Sequence, residues 1–311
     1  MTVNITDSCL SGCDIYTEEN SATHYITTEV NDFMFDRIKA YVVFQIMSQP
    51  CRYHVLRAKM KGDYEHHDIP FRTVCLERSN QKLNGYYLDG DSSKPIIILY
   101  HGYGSCAKNM LPYADHFWSR GYDVFIPDLR AHGKSQGKYS GLGIKDVEDI
   151  DLWMGVIDRD NNRDKIIFGA SMGGTIALRC TQLPQERRIK KVILDSTPID
   201  FGKVAERVWK WKMRSPWSQI EPYLNRIMNK RLGFEMNDFD LTPILTQIRM
   251  PVLFIHGQQD GLVNVDDTKA GFEKIRAPKQ FLLARKSNHM GALYELGNEY
   301  WTCVDGFITQ C

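Results

Sequence analysis

The chain has 311 residues, of which 43% are hydrophobic and 25% charged, and its formal net charge at neutral pH is +1. This balance is typical of a globular protein and gives no general attraction for nucleic acid. The eight cysteines are scattered, which predicts reduced thiols and a cytoplasmic location rather than a disulfide framework.

Residues 1–68 match no motif, and we expect them to form an N-terminal extension that is helical and packed on the core. Their start does not predict a secretory signal peptide, and the sequence holds no apolar run of the roughly 18 residues that would predict a membrane-spanning helix. The most apolar segment, residues 33–47, is interpreted as an amphipathic helix packed on the body, with membrane-surface contact as the alternative. The polar residues 65–68 are interpreted as a solvated loop rather than a metal site.

Residues 69–311 form a second, regular region. Two short strand-like runs, "FRTVCLE" and "KLNGYYL", predict a hairpin. Six apolar strand-like runs follow, and helical segments separate most of them: "KPIIILYHG", "YDVFIPD", "KIIFG", "KKVILD", "PVLFIHG" and "KQFLLA". This alternation predicts the α/β class, with a mostly parallel sheet covered by helices on both faces.

One interval, residues 201–246, interrupts the alternation, and we interpret it as a small helical cap over the end of the sheet. It contains Trp209, Trp211 and Trp217, and residues 203–231 hold eight basic and two acidic side chains. Two interpretations stay open. Either the cap is a solvated cationic face with Trp209 and Trp211 held against the core, or the tryptophans bind substrate while the bases attract anionic substrates or lipid headgroups.

The five residues Gly169-Ala170-Ser171-Met172-Gly173 lie between a strand-like run and a helical run. A sharp strand-to-helix turn brings its flanking residues close to neighbouring backbone, which glycine permits. The turn also forces its central residue into a backbone conformation that is uncommon for a residue with a side chain. This pattern is the G-x-S-x-G turn that presents a nucleophilic serine, and it favours that role for Ser171 over a purely structural turn.

A serine hydroxyl needs an adjacent base to become a nucleophile. Among the nine histidines, His289 follows the last strand-like run and precedes the final helix, at the same edge of the sheet as Ser171. Asp260 follows the penultimate strand and is predicted to orient the imidazole, with Asp195 as the alternative acid. The chain order Ser171, Asp260, His289 is the order expected in an α/β-hydrolase.

Acyl transfer also needs donors for the oxyanion. One predicted donor is the amide of Met172, which follows the nucleophile. The other lies in the loop after "IIILY", where Tyr103 is the first choice and Gly104 the second.

With these motifs the chain resembles the serine-aminopeptidase and monoacylglycerol-lipase-like branch of the α/β-hydrolase superfamily. The matching segments are "LYHGYGS", "YDVFIPDLRAHGKSQG", "FGASMGG", "PVLFIHGQQDGLV" and "SNH". The resemblance runs from about residue 71 to the C-terminus and implies the α/β-hydrolase fold. It also implies that His132 braces a loop and that Ala131 replaces a usual glycine there.

The sequence thus predicts a serine hydrolase that cleaves a small-molecule carboxylic ester through an acyl-enzyme intermediate, with no metal or other cofactor. Thioesterase, acyltransferase and aminopeptidase activities use the same three residues and stay open. A non-catalytic binding protein on the same fold is a further alternative. The acyl and alcohol groups of the substrate and the oligomeric state cannot be read from the sequence.

Overall fold

The structure is a computed structural model that describes residues 19–49, 69–78, 80–159 and 162–310, with only the backbone described for residues 19–33. Residues 65–68, which were predicted to be a solvated loop rather than a metal site, lie outside this part of the chain. The same holds for residues 1–18 and 50–64 of the N-terminal extension. Its described portion is a single helix.

The described residues form one eight-stranded sheet with the order β1-β2-β4-β3-β5-β6-β7-β8. The antiparallel hairpin β1-β2 lies at one edge, β2 also runs antiparallel to β4, and all other neighbours are parallel. The predicted mostly parallel sheet is thereby confirmed. The strands are β1 (Arg72–Arg78), β2 (Gln81–Leu88), β3 (Ile96–Tyr100), β4 (Asp123–Pro127), β5 (Lys165–Ala170), β6 (Ile189–Asp195), β7 (Val252–Gly257) and β8 (Lys279–Ala284).

Helices follow most of the parallel strands, as the alternation predicted, and three lie in the interval between β6 and β7. The α-helices are α1 (Glu19–Ser48), α2 (Leu111–Trp118), α3 (Asp146–Ile157), α4 (Met172–Cys180), α5 (Phe201–Met213), α6 (Glu221–Leu232), α7 (Thr242–Leu245), α8 (Val265–Lys274), α9 (Ala292–Leu296) and α10 (Asn298–Thr309). Short 3-10 helices lie at Ala107–Met110, Gln185–Arg187, Trp217–Gln219 and Met236–Phe239. No helix of the described ranges is both long enough and apolar enough to cross a bilayer.

The central part of the sheet is buried on both faces, since β3, β4, β5 and β7 are buried at every position, whereas the edge strand β1 is exposed or half-buried along its length. Along β3, Ile97 and Leu99 contribute to one core cluster, whereas Ile98 and Tyr100 contribute to the other. Helices α3 and α4 complete the cluster that contains Ile98, and helices α2 and α10 complete the cluster on the opposite face. This layering confirms the predicted α/β architecture and places the carboxyl ends of the parallel strands along one edge.

A third apolar cluster joins the N-terminal helix to the insertion between β6 and β7. Ala40 and Phe44 of α1 are buried together with Leu224 and Met228 of α6 and with Trp209 of α5. Phe44 also makes an edge-to-face contact with Tyr139. Helix α1 therefore packs on the insertion through one of its faces.

Candidate active site

Ser171 lies at a sharp turn between β5 and α4. Its backbone has φ 51° and ψ −119°, a strained conformation for a residue with a side chain. The turn needs glycine on both sides, because a Cβ on Gly173 would lie 2.2 Å from the carbonyl oxygen of Tyr100, and one on Gly169 would lie 2.4 Å from the carbonyl oxygen of Gly173. Holding this hydroxyl at the carboxyl end of the sheet therefore costs backbone strain.

The structure brings Ser171, His289 and Asp260 together, although 118 residues separate the first two. The hydroxyl Oγ of Ser171 lies 3.0 Å from Nε2 of His289, and Nδ1 of His289 lies 2.8 Å from Oδ2 of Asp260. Because a carboxylate only accepts, Nδ1 carries the proton, and the lone pair of Nε2 faces the serine hydroxyl. The arrangement can therefore draw a proton from Ser171 towards the imidazole.

The Asp260 carboxylate is buried and fully supported by donors. Its Oδ1 accepts hydrogen bonds from the amides of Leu262 and Val263, at 2.9 Å each. Burial by itself raises the pKa of this carboxyl, but the hydrogen bonds from His256 and His289 outweigh it and hold the pKa well below its usual range. Asp260 is therefore an anion at all ordinary pH values.

His256, at the end of β7, is a contact that the sequence analysis missed. Its Nε2 lies 3.3 Å from Oδ2 of Asp260 and 3.1 Å from the carbonyl oxygen of Val263, and the ring is completely buried. Both neighbours accept, so Nε2 carries a hydrogen that both share. The four-residue spacing between His256 and Asp260 across a strand end was the available signal for this contact.

Asp195, the alternative acid, is bonded elsewhere. Its carboxylate accepts hydrogen bonds from the hydroxyls of Ser196 (2.9 Å) and Tyr300 (2.8 Å). Burial raises the pKa of Asp195, and the two hydrogen bonds only partly offset this rise. The Asp195 carboxyl is therefore less readily ionised than that of Asp260. The amide of Met290 donates to Ser196 Oγ at 3.1 Å, and Asp195 thereby supports the loop that carries His289.

The loop after β3 lies alongside Ser171, since a Cβ on Gly102 would be 3.3 Å from the Cβ of Ser171. His101 fixes the start of this loop. Its Nδ1 donates to the carbonyl oxygen of Gly102 (2.8 Å), and its Nε2 accepts from the amide of Leu129 (3.1 Å). Burial lowers the pKa of His101 to about 4, so the ring is neutral near physiological pH and serves both bonds.

His132 braces the same loop from the segment after β4. Its Nδ1 donates to the carbonyl oxygen of Arg130 (2.8 Å), and its Nε2 accepts from the amide of Gly104 (3.3 Å). Burial, together with the neighbouring His101, lowers the pKa of His132 to about 3. The amide of Gly104 is thus engaged, which favours Tyr103 over Gly104 among the two predicted oxyanion donors.

Tyr103 is also tied to the N-terminal helix. Its hydroxyl donates to the carbonyl oxygen of Ile46 in α1, and its ring lies 6.1 Å from that of Phe201 at the start of α5. Met172, the other predicted donor residue, is the first residue of α4, so its amide points out of the N-terminal turn of a helix. The two predicted donor residues lie on different elements, Tyr103 in the loop after β3 and Met172 at the start of α4.

The segment between β4 and α3 holds the residue that departs from the usual motif. Ala131 has φ 60°, in the left-handed region that favours glycine. Nearby, the Asp128 carboxylate accepts from the amides of Ala107 and Lys134, at 2.8 Å each, and leaves no room for a Cβ on Gly133. The segment therefore accepts alanine at position 131 at the cost of backbone strain.

The three tryptophans of the insertion do not form one lining. Trp209 and Trp217 are buried and meet edge to face at 6.4 Å, whereas Trp211 is 71% exposed. The interpretation that held both Trp209 and Trp211 against the core is right for the first and wrong for the second. A substrate-binding role for the three side chains stays a prediction.

Among the described residues, no group of three or more His, Cys, Asp or Glu side chains is placed to hold a metal ion.

The parallel sheet, the strained turn at Ser171 and the two loops that meet it together define an α/β-hydrolase.

Comparison with known proteins agrees with this class. The family model described as serine aminopeptidase, S33, matches residues 91–238. A Pyrococcus furiosus esterase of known structure has a TM-score of 0.62 and 26% identity, covering 78% of this chain and 91% of the esterase. The chain therefore has the α/β-hydrolase fold and is similar to proteins of this superfamily.

Two curated relatives are uncharacterized proteins. The uncharacterized protein YqkD of Bacillus subtilis is 26% identical over 228 residues, covering 73% of this chain and 75% of YqkD. The uncharacterized protein YfhR of Escherichia coli K12 is 25% identical over 224 residues, covering 69% of this chain and 72% of YfhR. These relatives extend the similarity well beyond the matched segment 91–238.

Proposed function

We propose that the protein hydrolyses a small-molecule carboxylic ester, with Ser171, His289 and Asp260 as a catalytic triad. The observation that carries the proposal is the continuous link from Ser171 Oγ through the His289 ring to the buried Asp260 carboxylate, at 3.0 and 2.8 Å. Hydrogen-bond reach between nucleophile, base and orienting group is the geometric requirement for this chemistry. The likeness to an esterase supports the same reaction.

The reaction would proceed in two halves. Ser171 Oγ attacks the ester carbonyl while His289 Nε2 takes the hydroxyl proton, and the protonated ring then passes that proton to the departing alcohol. Water enters, loses a proton to His289 and attacks the acyl-enzyme, and Ser171 leaves with that proton as the acid is released. Asp260 stays ionised throughout and balances the charge of the imidazolium.

The amides of Met172 and Tyr103 are the proposed oxyanion donors. Met172 opens helix α4, where the helix dipole adds to the attraction for negative charge. Tyr103 is favoured because Gly104 donates to His132 and because the loop passes beside the Cβ of Ser171.

A thioesterase is the closest competing activity, since the same residues would attack a thioester without rearrangement. An acyltransferase or aminopeptidase would need, in addition, a site for the acceptor or for a substrate α-amino group. A carboxylic ester is proposed first because the similar solved structure is that of an esterase.

Two measurements on the purified protein test the proposal. A fluorophosphonate probe should label Ser171, and labelling should be lost in the variant Ser171→Ala. Rates on matched p-nitrophenyl esters, acyl thioesters and aminoacyl amides should be highest for the esters. Labelling without turnover of any ester would reject the esterase assignment while keeping the reactive serine, and absence of labelling would reject both.

We also propose a cytoplasmic location. The four described cysteines Cys75, Cys106, Cys180 and Cys303 are all free thiols, which suits a reducing compartment. Fractionation of cells that express the tagged full chain tests this proposal, and recovery of the protein in a secreted fraction would contradict it.

A further inference from the structure

Helix α5 ends in five consecutive exposed residues, Lys210-Trp211-Lys212-Met213-Arg214. We call this segment the tip. Trp211 and Met213 are 71% and 51% exposed, and the side-chain nitrogen of Lys212 lies 4.1 Å from the centre of the Trp211 ring. Large apolar side chains alternate here with basic ones on the outside of the protein. The proposed reaction gives this arrangement no role.

The tip is held in place by the residues on either side of it. Trp209 is buried in the cluster shared by α1, α5 and α6, and its indole Nε1 donates to the carbonyl oxygen of Ser215 at 3.0 Å. Arg214 takes a left-handed conformation, with φ 50°, and ends the helix. Both ends of the tip are therefore anchored to the rest of the protein, and the tip projects between them in a defined conformation.

A second exposed apolar surface lies on α1, which packs on the same cluster. Its inner face is buried through Ala40 and Phe44, and its outer face carries side chains that are each about half exposed, at the spacing of one helix face. These outer residues are Met34, Phe35, Ile38, Tyr41 and Val42. We call them the α1 outer face.

The insertion that carries the tip, and on which α1 packs, is strongly basic. Residues 203–231 carry eight basic and two acidic side chains in a chain whose net charge is only +1. One of the acids, Glu206, is already paired with Lys210 at 2.6 Å. On α6, Arg226, Lys230 and Arg231 are exposed. The insertion therefore presents a concentrated positive field around exposed apolar side chains.

We propose that the tip and the α1 outer face dock this protein on an anionic phospholipid membrane. Basic side chains are attracted to the negative surface of such a bilayer, and tryptophan favours the headgroup region while aliphatic side chains enter the acyl boundary. Nucleic acid would leave the aliphatic side chains of α1 unused. A second copy of the chain would bring one positive field against another.

Sedimentation with vesicles tests the proposal, and it does not depend on the proposed hydrolysis because binding needs no turnover. Vesicles of phosphatidylcholine alone are compared with vesicles that also contain phosphatidylglycerol, at low and at physiological ionic strength. The full chain should bind the anionic vesicles, and the binding should weaken as salt rises. Lys210→Ala with Lys212→Ala should weaken it about fivefold per lysine, or about 25-fold together.

A matched control removes two exposed basic residues elsewhere, Lys274→Ala with Arg276→Ala, and should change binding by less than about twofold. Trp211→Ala with Met213→Ala and, separately, Ile38→Ser with Val42→Ser should each weaken binding by roughly tenfold or more at unchanged charge. Thermal unfolding of each variant should match the parent, because all these side chains are exposed.

Several results would overturn the proposal. These are binding to neither kind of vesicle, equal binding to both kinds, and loss of binding in the control pair as large as in the lysine pair. Retention on a DNA oligonucleotide without vesicle binding would assign the surface to nucleic acid instead. A concentration-dependent dimer that the Ile38/Val42 variant abolishes would assign the α1 outer face to a second copy.

Discussion

Two short segments of this molecule, residues 169–173 and the tip at residues 210–214, are held in opposite ways. The first is enclosed by β3, by the loop after it and by the His289 ring, and its central residue is strained. The second projects from the end of a helix with every side chain exposed. Geometry for a reaction must be imposed by neighbours within fractions of an ångström, whereas a surface contact needs only charge and apolar area.

This difference makes the two segments separable by mutation. Substitutions around residues 169–173 should change catalysis or stability through particular bonds and strained backbone angles. Substitutions in the tip should leave both nearly unchanged, because each exposed side chain changes the free energy of unfolding by only about 0.5 kcal/mol or less.

The largest effect is expected at the centre of the enclosed segment. Ser171→Ala should lower kcat for an activated ester by roughly 10⁵- to 10⁶-fold, because it removes the proposed nucleophile of the acyl-enzyme. The midpoint of thermal unfolding should move by no more than about 2 °C, since the lost hydroxyl is small. His289→Ala should be similarly severe, and His132→Ala far milder. A rate within tenfold of the parent for Ser171→Ala would refute the nucleophile assignment.

The next largest effect distinguishes Asp195, the last residue of β6, from Asp260, which follows β7. Asp260→Asn should lower kcat by about 10⁴-fold, because the amide can no longer fix the tautomer of His289 or balance its charge. Asp195→Asn should cost less than about tenfold, since Asp195 acts on the His289 loop only through Ser196. Steady-state kinetics on one ester measure both. A reversed ranking would move the acid to the end of β6.

A smaller effect concerns a buried carboxyl behind the enclosed segment. Asp146 accepts from the amide of Gly143 (2.8 Å), and a Cβ on Gly143 would press on Thr175 of α4. Burial raises the pKa of Asp146 to about 6. Between about pH 4 and pH 6 the folded protein therefore keeps a proton on Asp146 that the unfolded chain releases. This proton stabilises the fold fully below about pH 4, and the stabilisation is lost as pH rises through about 6.

Asp146→Asn keeps an acceptor without the titration. The free energy of unfolding of Asp146→Asn, minus that of the parent, should rise by up to about 3 kcal/mol between about pH 4 and pH 7. Urea unfolding at several pH values measures it. A constant difference across that range would show that Asp146 stays ionised in the folded protein.

The smallest effect concerns backbone strain alone. Ala131 has φ 60°, so Ala131→Gly should raise the free energy of unfolding by about 0.5–1 kcal/mol. This gain is the strain energy that glycine relieves, reduced by the greater conformational freedom of glycine in the unfolded chain. Hydrolysis should not change. Ala131→Val serves as the opposite control and should destabilise the protein, and equal stability of all three would show that the left-handed angle carries no cost.

The fold and the enclosed segment were predictable from the sequence because both rest on local steric rules. Short apolar runs bounded by turn residues favour buried strands. The glycines around Ser171 were readable because a Cβ at either position would overlap neighbouring backbone. His289 and Asp260 followed from chain order and from the shared edge of a parallel sheet.

Other features could not be predicted because they depend on which face of an element meets a neighbour. Trp209 and Trp211 are two residues apart on one helix, and nothing local determines that the first is buried and the second exposed. The hydrogen bond from Tyr103 to Ile46 joins residues 57 positions apart through a helix with no known motif. Long-range packing sets both.

The bond between Tyr103 and Ile46 makes local unfolding relevant to this enzyme. Helix α1 lies outside the sheet and packs on the insertion, so it can open while the central strands stay intact. Each opening of α1 would release Tyr103, whose amide is a proposed oxyanion donor. Activity would then decline before global unfolding begins. Linkage requires the reverse as well: a transition-state analogue bound at Ser171 should slow amide hydrogen exchange in a helix that it never touches.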